Sequence, residues 1–349
     1  MNENNSLVTE MLAGRALPPL KPREEMMETL LSEMYGFPAP APEKVSFENE
    51  RDAVPGFCAG KARLDKVKIS VKVPGGEFTF PVSCVIPAAE GKHPFFVHIN
   101  FRSFAADISL PTEEIVDGGF AVLTFCYEDV TKDNGDFADG LCGLFYPDGR
   151  GAHDGGKLAV WAWAASRVMD YAETCEDLDL SHAAVCGHSR LGKTALLAGA
   201  LDTRFTHVYS NDSGCCGASL HRGGKGESLK DITAMFPFWF CNALTEGGVP
   251  APEDLPFDQH WLLVCIAPRP LLVGSADKDA WADPPSEFLG AAAASEAYEG
   301  MGLKGLEADR FPEPGEAFLE GTVGYQLRPG THYFSRHDWQ RLMEFVRKH

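Results

Sequence analysis

One segment of the sequence combines residue types that could perform nucleophilic catalysis. The apolar run AAVCG at 183–187 leads into His188, Ser189 and Arg190, and a stretch with helical periodicity, RLGKTALLAGAL, follows. A tight turn between a buried strand and a helix strains its central residue and lifts that side chain above the sheet. The pattern therefore predicts an exposed nucleophile at Ser189. The backbone N–H of Arg190, at the helix N-terminus, is the predicted oxyanion donor, and its side chain could add a charge-assisted bond.

The surrounding motif matches the serine elbow of α/β-hydrolases only in part. That motif has its second glycine two residues after the serine, whereas Gly192 lies three residues after Ser189. A serine also needs a base, and in this fold the histidine comes last in chain order. His332 lies in RPGTHYF, after the last predicted strand and before the closing helix. We therefore predict that His332 is the general base.

Two loops offer a carboxylate to orient this histidine. Asp212 ends the strand that follows the nucleophile helix, while Asp277, Asp279 and Asp283 follow the next predicted strand. A carboxylate in either loop could hold the imidazole in the correct tautomer and stabilise the imidazolium formed during attack. The residues themselves leave both loops open as the source of the acid.

The elements around these residues alternate between strand and helix. Helical periodicity begins near residue 154, and Ser335 with Asp338 can start a closing helix as a capping box. The predicted strands are 66–73, 77–86, 94–100, 120–127, 183–187, 206–211, 270–276 and 322–328. Such alternation predicts an α/β fold of the α/β-hydrolase type, a three-layer sandwich whose mostly parallel sheet has helices on both faces.

The chain is predicted to comprise an extension and one catalytic domain. In residues 1–44, Pro22 can open an amphipathic helix, Gly36 can end it, and PAPAP follows as a stiff linker. Residues 45–349 then form a single α/β-hydrolase domain.

Composition narrows the classes of function and location. The formal charge of −19 over 349 residues argues against partners with phosphate backbones or anionic lipid surfaces, so we expect neither nucleic-acid nor membrane binding. No apolar run approaches the roughly 18 residues needed to cross a bilayer, and no signal peptide is seen, so we expect a cytoplasmic location. Ten cysteines without a CxxC, several within apolar runs, are predicted to be buried thiols, and packing is also favoured for Cys215 and Cys216.

No cofactor or metal is predicted. The acidic loops 133–140 and 277–283 space carboxylates as calcium loops do, but neither has the full ligand ladder, so we expect solvated acidic loops. No dinucleotide fingerprint or Walker loop occurs in the sequence.

Several sequence blocks together resemble the bacterial glucuronoyl esterases of carbohydrate esterase family fifteen. The blocks are GHSRLGK, SNDSGCCGASLHR, DQHWLLVCIAPRPLLV, SADKDAWADP and RPGTHYFSRHDW, and the resemblance runs from about residue 94 to the end. It implies an α/β-hydrolase fold without a metal, with Ser189 as nucleophile, His332 as base and Arg190 as the oxyanion residue. The resemblance also implies an acid at Asp212, where the family commonly has glutamate, or at the later position Asp279.

The resemblance further implies a pocket for a uronate sugar. Lys193 and Glu227 match family residues that contact sugar hydroxyls, and Trp281 matches a tryptophan that offers an apolar face to a pyranose. We therefore predict a serine carboxylesterase that hydrolyses esters of glucuronic-acid or 4-O-methyl-glucuronic-acid sugars through an acyl-enzyme. The substrate would be a small molecule or an oligosaccharide. The alternatives are another carbohydrate esterase such as an acetyl esterase, a general serine hydrolase, or a catalytically silent hydrolase fold used for binding.

Overall fold

The computed structural model describes residues 6–103, 105 and 107–349, and within these ranges ten strands form one sheet. The strands are β1 (Lys44–Glu50), β2 (Ala62–Val73), β3 (Gly76–Pro87), β4 (His93–Asn100), β5 (Ala121–Cys126), β6 (Leu178–His188), β7 (His207–Asn211), β8 (Leu271–Ala276), β9 (Ala317–Phe318) and β10 (Val323–Arg328). Their order across the sheet is β1-β2-β3-β5-β4-β6-β7-β8-β10-β9. β1 and β9 are not among the strands predicted from sequence, since β1 has no buried residue and β9 has only two residues.

The centre of the sheet is parallel and its margins are antiparallel. β5, β4, β6, β7, β8 and β10 pair in parallel, whereas β1, β2 and β3 at one margin and β9 at the other pair antiparallel. β5, β7 and β8 are buried along their whole length, as expected of parallel strands covered on both faces.

Ten α-helices accompany the sheet in the described ranges. They are α1 (Ser6–Ala13), α2 (Arg23–Leu30), α3 (Thr112–Asp117), α4 (Gly140–Phe145), α5 (Lys157–Ala172), α6 (Arg190–Leu201), α7 (Leu229–Met235), α8 (His260–Val264), α9 (Pro284–Gly300) and α10 (Arg336–Lys348). α5 and α6 pack in the larger apolar core, whereas α3 and α10 pack in a second core. Phe95 belongs to the first core and Phe96 to the second, as the two-residue period of a strand requires. The predicted three-layer α/β fold is confirmed.

The closing helix begins as the sequence predicts. The Ser335 hydroxyl accepts the backbone N–H of Asp338, and the Asp338 carboxylate accepts the N–H of Ser335, which completes the capping box.

In the N-terminal segment, α2 continues as a wider helical turn to Tyr35 and ends at Gly36, whose φ is 80°. A Cβ at Gly36 would lie 2.2 Å from the carbonyl oxygen of Asp154, so glycine permits this close approach. The division at residue 44 stays a prediction.

The cysteine prediction is confirmed, because all ten are free thiols and all but Cys58 and Cys175 are buried. Among the described residues, none of the helices has the length and apolar character that a membrane span requires. The cytoplasmic location stays a prediction.

Candidate active site

Ser189 occupies a sharp turn between β6 and α6. Its φ of 59° and ψ of −128° are strained for a residue with a side chain, as expected at a nucleophile elbow. The turn is fixed by a hydrogen bond of 2.8 Å from the Ser189 N–H to the carbonyl of Asn211, at the end of β7. Gly187 makes the turn possible, because a Cβ there would lie 2.2 Å from the carbonyl oxygen of Leu191. The serine thus lies at the carboxyl edge of the sheet, where parallel folds place their sites.

His332 and Asp279 form a hydrogen-bonded pair at the same edge. Nδ1 of His332 lies 2.5 Å from Oδ2 of Asp279. Asp279 is buried, while nearly half of the His332 side chain is exposed. Burial raises the pKa of Asp279, but the hydrogen bond and charge of His332, together with smaller effects of the Ala282 N–H and His188, lower that pKa below its ordinary value. This geometry fixes the imidazole orientation and keeps the carboxylate ionised.

Asp212, the other predicted acid, lies close by with different partners. One of its oxygens, a nitrogen of His332 and a nitrogen of His188 all lie within 4.8 Å of one another. Its hydrogen bonds, however, come from the Ala276 N–H at 2.7 Å and from Arg328 at 3.5 Å. Burial, with nearby carboxylates, raises the pKa of Asp212 well above its usual range. Of the two aspartates, only Asp279 is hydrogen-bonded to His332.

His188, which the sequence analysis did not select, packs against the His332 ring. The two ring centroids are 4.4 Å apart, and Nδ1 of His188 lies 2.7 Å from Oδ1 of Asn211. Burial lowers the pKa of His188 to about 3, and His332 adds to that effect. His188 therefore stays neutral and does not compete for the proton on His332. Its position one residue before the serine was the available signal.

The Arg190 guanidinium is held beside the serine by Asp133. The Asp133 carboxylate accepts from Arg190, and also accepts the indole N–H of Trp239 at 2.6 Å and the hydroxyl of Tyr127 at 3.2 Å. The guanidinium carbon lies 4.8 Å from the Trp239 ring centroid. The expectation that loop 133–140 is simply solvated is wrong for Asp133, because this carboxylate is buried by partners distant in sequence.

A cavity of about 410 Å³ opens above these residues, and the predicted sugar contacts line it. Lys193 is buried and donates to the carbonyl of Ser213. Burial raises the pKa of Glu227, and Lys193 opposes that shift. Trp281 is 53% exposed at the cavity wall, and its carbonyl accepts the Glu227 N–H at 2.8 Å. The cavity thus offers an ammonium, a carboxylate and an aromatic face.

The loop that contains Asp279 also anchors the loop that contains Glu227. The Asp283 carboxylate accepts the backbone N–H groups of Lys225 at 2.5 Å and Gly226 at 3.2 Å, and it caps α9. Asp277 accepts the N–H of Gly330 at 2.6 Å. The expectation of a solvated loop at 277–283 is therefore wrong for these carboxylates, since they hold neighbouring loops in place.

An apolar wall completes the cavity. This wall consists of Met235, Phe236 and Trp239, which the sequence analysis did not select. The aromatic run FPFWF at 236–240 was a signal that could have found them. The Phe236 and Trp239 rings stack at a centroid distance of 4.0 Å, which gives the wall a rigid surface.

A mostly parallel sheet with a strained serine at a strand-to-helix elbow, and a histidine–aspartate pair at the same edge, defines the α/β-hydrolase class. Within that class, residues 69–302 match the family model described as glucuronyl esterase of fungi. This chain belongs to the glucuronoyl esterase family.

Solved structures and curated relatives agree with this assignment. The glucuronoyl esterase from Solibacter usitatus has a TM-score of 0.86 and 32% identity, over 94% of this chain and 92% of that chain. A promiscuous CE15 esterase from a marine bacterial metagenome has a TM-score of 0.82 and 33% identity, over 94% and 91%. A carbohydrate esterase from an unknown prokaryotic organism is 41% identical over 68% of this chain and 55% of its own length. The 4-O-methyl-glucuronoyl methylesterase of Podospora anserina is 33% identical over 59% of this chain and 43% of its own length. The chain thus spans about half the length of these curated relatives.

Proposed function

We propose that this chain is a serine esterase that hydrolyses the carboxyl ester of a glucuronic-acid sugar through an acyl-enzyme. The observation that supports it is one cavity lined by Ser189, the Asp279–His332 pair, and the group Lys193, Glu227 and Trp281. The first set suits acyl transfer and the second suits a hydroxyl-bearing ring. Membership of the glucuronoyl esterase family favours the same substrate class.

In the proposed mechanism, the Ser189 hydroxyl attacks the ester carbonyl while His332 accepts its proton. Asp279 holds Nδ1 of His332, so that Nε2 faces the reaction, and stabilises the imidazolium. The backbone N–H of Arg190, in the first turn of α6, has no intrahelical acceptor and can bind the oxyanion. His332 then protonates the leaving alcohol, and a water activated by His332 hydrolyses the glucuronoyl-serine.

Recognition of the sugar is assigned to the other residues of the cavity. Lys193 and Glu227 would bond ring hydroxyls, and Trp281 would pack against a pyranose face. The apolar wall, with Phe236 and Trp239, suits the alcohol part of the ester, which carries no charge. A uronate ester is neutral, so the acidic protein surface imposes no barrier to its approach.

The test is hydrolysis by the purified protein of benzyl glucuronate, with an acetylated sugar as the competing ester class. We expect kcat/KM to favour benzyl glucuronate, and we expect Ser189→Ala to lose about a millionfold in turnover without a change in fold, because only one oxygen is removed. Circular dichroism would verify the fold of the variant. Preference for the acetylated sugar would replace the uronate esterase with an acetyl esterase, and Ser189→Ala turnover within tenfold of the parent would reject the serine mechanism.

A further inference from the structure

A cluster of two thiols and an imidazole lies beside the active-site cavity, and the esterase mechanism does not use it. Cys215 and Cys216 follow β7 by a few residues and are buried, and His221 is also buried. The two Sγ atoms and one ring nitrogen of His221 all lie within 4.8 Å of one another. The two Sγ atoms are 3.8 Å apart.

The backbone places both sulfur atoms on the same side of the chain. Successive side chains of an extended segment point in opposite directions, so adjacent cysteines ordinarily diverge. Cys216, however, has a φ of 56°, which is strained for a residue with a side chain. This turn brings its sulfur next to that of Cys215.

The imidazole of His221 lies beside the two sulfur atoms. The backbone N–H of Cys216 donates to Nε2 at 3.3 Å, so a neutral ring has its proton on Nδ1. Nδ1 is buried and has no hydrogen-bond partner among the described residues. Asp258 binds the backbone N–H of His221 and thereby fixes the residue without contacting its ring. A ring nitrogen of His221 lies within 4.8 Å of both sulfurs, so an imidazolium formed by proton transfer from Cys215 would stabilise the thiolate.

A second cavity gives access to this cluster. It has a volume of about 310 Å³, and Cys215 and His221 line it. Glu227 lines both this cavity and the one above Ser189. Ser213, whose carbonyl accepts from Lys193, precedes Cys215 by two residues. Chemistry at Cys215 would therefore take place beside the proposed sugar contacts.

We propose that Cys215 is a modification site, a nucleophilic thiolate stabilised by His221. A peroxide that enters through the second cavity oxidises Cys215, and Cys216 then forms a disulfide with the oxidised Cys215. In the first step the Cys215 sulfur attacks one oxygen of hydrogen peroxide. The S–O bond forms as the O–O bond breaks, and the departing hydroxide takes up a proton and leaves as water. Cys215 is thereby oxidised to the sulfenic acid and the peroxide is reduced.

In the second step the Cys216 thiol attacks the Cys215 sulfur. An S–S bond forms, and the sulfenic hydroxyl leaves with the thiol proton as a second molecule of water. A disulfide between adjacent residues is strained, so a dithiol reductant would restore both thiols readily.

The test is peroxide treatment of the reduced, full-length protein followed by digestion and mass spectrometry. We expect the peptide with Cys215 and Cys216 to lose two hydrogens at least about tenfold faster than Cys58, a half-exposed thiol without a histidine, is oxidised. Oxidation of Cys215 no faster than that of Cys58 would overturn the proposal.

Two variants separate the roles of the neighbours. Cys216→Gly suits the positive φ and should fold, and we expect it to accumulate a Cys215 sulfenic acid that dimedone traps. His221→Gln should slow oxidation of Cys215 about tenfold or more, and a parental rate in that variant would reject the thiolate–imidazole pair. The readout needs no esterase turnover, so its failure is distinct from failure of the proposed function.

Discussion

Asp212 and Asp279 both lie near His332, and their surroundings give the two carboxyl groups different pKa values and hydrogen-bond partners. Asp279 receives its hydrogen bond from His332, which lowers its pKa despite burial. The Asp212 carboxyl group accepts the Ala276 N–H, and burial raises the pKa of Asp212. A carboxylate that is ionised and bonded to Nδ1 can stabilise an imidazolium directly, whereas Asp212 acts on His332 only through space.

We therefore expect Asp279→Asn to be the more damaging of the two substitutions. Asparagine keeps the size of the side chain but removes the charge and allows the wrong histidine tautomer, so turnover should fall by about 10³–10⁴-fold. Asp212→Asn should cost about tenfold, since its oxygen can still accept the Ala276 N–H. Turnover of both variants and of the double variant on benzyl glucuronate would measure this. A fully active Asp279→Asn beside an inactive Asp212→Asn would assign the acid to Asp212.

Glu227 should affect sugar substrates selectively. Glu227→Gln removes a charged acceptor, so kcat/KM for a glucuronate ester should fall about ten- to a hundredfold, whereas an aryl acetate without ring hydroxyls should be hydrolysed nearly as before. Lys225→Gln, at an exposed position in the same loop, is the matched control and should leave both rates unchanged. Equal losses on the two substrates would indicate that Glu227 supports the fold instead of the sugar.

At the scale of elements, sequence patterns predict the strands, helices and caps that interactions between neighbouring residues determine. The β6 strand, the α6 helix and the elbow between them follow from an apolar run, a helical period and glycines that permit a tight turn, and the Ser335 capping box follows from two residues three apart. The contacts made by Asp133, Asp283 and His188 were missed because the partners are distant in sequence. Asp133 binds Trp239, more than a hundred residues away. No local pattern predicts such contacts, and the choice between Asp212 and Asp279 has the same cause.

Helix α9 positions a buried carboxylate under the site loops, and this predicts a pH dependence of stability. Glu287 accepts from Ser213 Oγ, the Gly214 N–H and Ser275 Oγ. Burial raises its pKa to about 7. Between its ordinary pKa and about 7, the folded state therefore binds more protons than the unfolded state, so stability from this group falls as the pH rises through that window.

The substitution Glu287→Gln should remove that part of the pH dependence. From pH 5 to pH 8, the free energy of unfolding of the parent should fall relative to the variant, by up to about 3 kcal/mol. Urea denaturation at both pH values measures the difference. Glu296→Gln, at an exposed position on the same helix, should show the parental slope. A parental slope in Glu287→Gln as well would show that Glu287 does not titrate in this range.

At the scale of the whole molecule, hydrogen bonds join the N-terminal segment to the hydrolase body. Arg23 donates to the carbonyl of Ala200 at 2.5 Å and to that of Cys265 at 3.0 Å. The Tyr35 hydroxyl donates to the carbonyl of Cys216 at 3.0 Å. These bonds join the segment to three separate parts of the hydrolase body, so its contribution extends beyond covering apolar surface.

Arg15 makes the most direct of these connections to the site. Its guanidinium donates to the carbonyl of Arg222 at 2.7 Å and to Ser286 Oγ at 3.1 Å. Arg222 precedes the loop whose N–H groups Asp283 binds, and Ser286 lies in the first turn of α9, which Asp283 caps. Its Cδ lies 2.9 Å from where a Cβ on Gly223 would be, so the side chain packs closely on that loop. The loop leads directly to Glu227.

We expect Arg15→Ala to loosen this loop. Two hydrogen bonds from a charged donor are lost at a partly exposed position, so the free energy of unfolding should fall by about 1–2 kcal/mol. The KM for a glucuronate ester should rise severalfold, because Glu227 would be held less firmly, while kcat on an aryl acetate stays near the parental value. Lys21→Ala is the matched control in the same segment, since the Lys21 ammonium forms an exposed ion pair with Glu25 and lies 5.7 Å from the centroid of the Trp261 ring. Urea denaturation and steady-state kinetics of both variants measure these effects, and indistinguishable results for Arg15→Ala and Lys21→Ala would mean that the N-terminal segment does not position the sugar-binding loop.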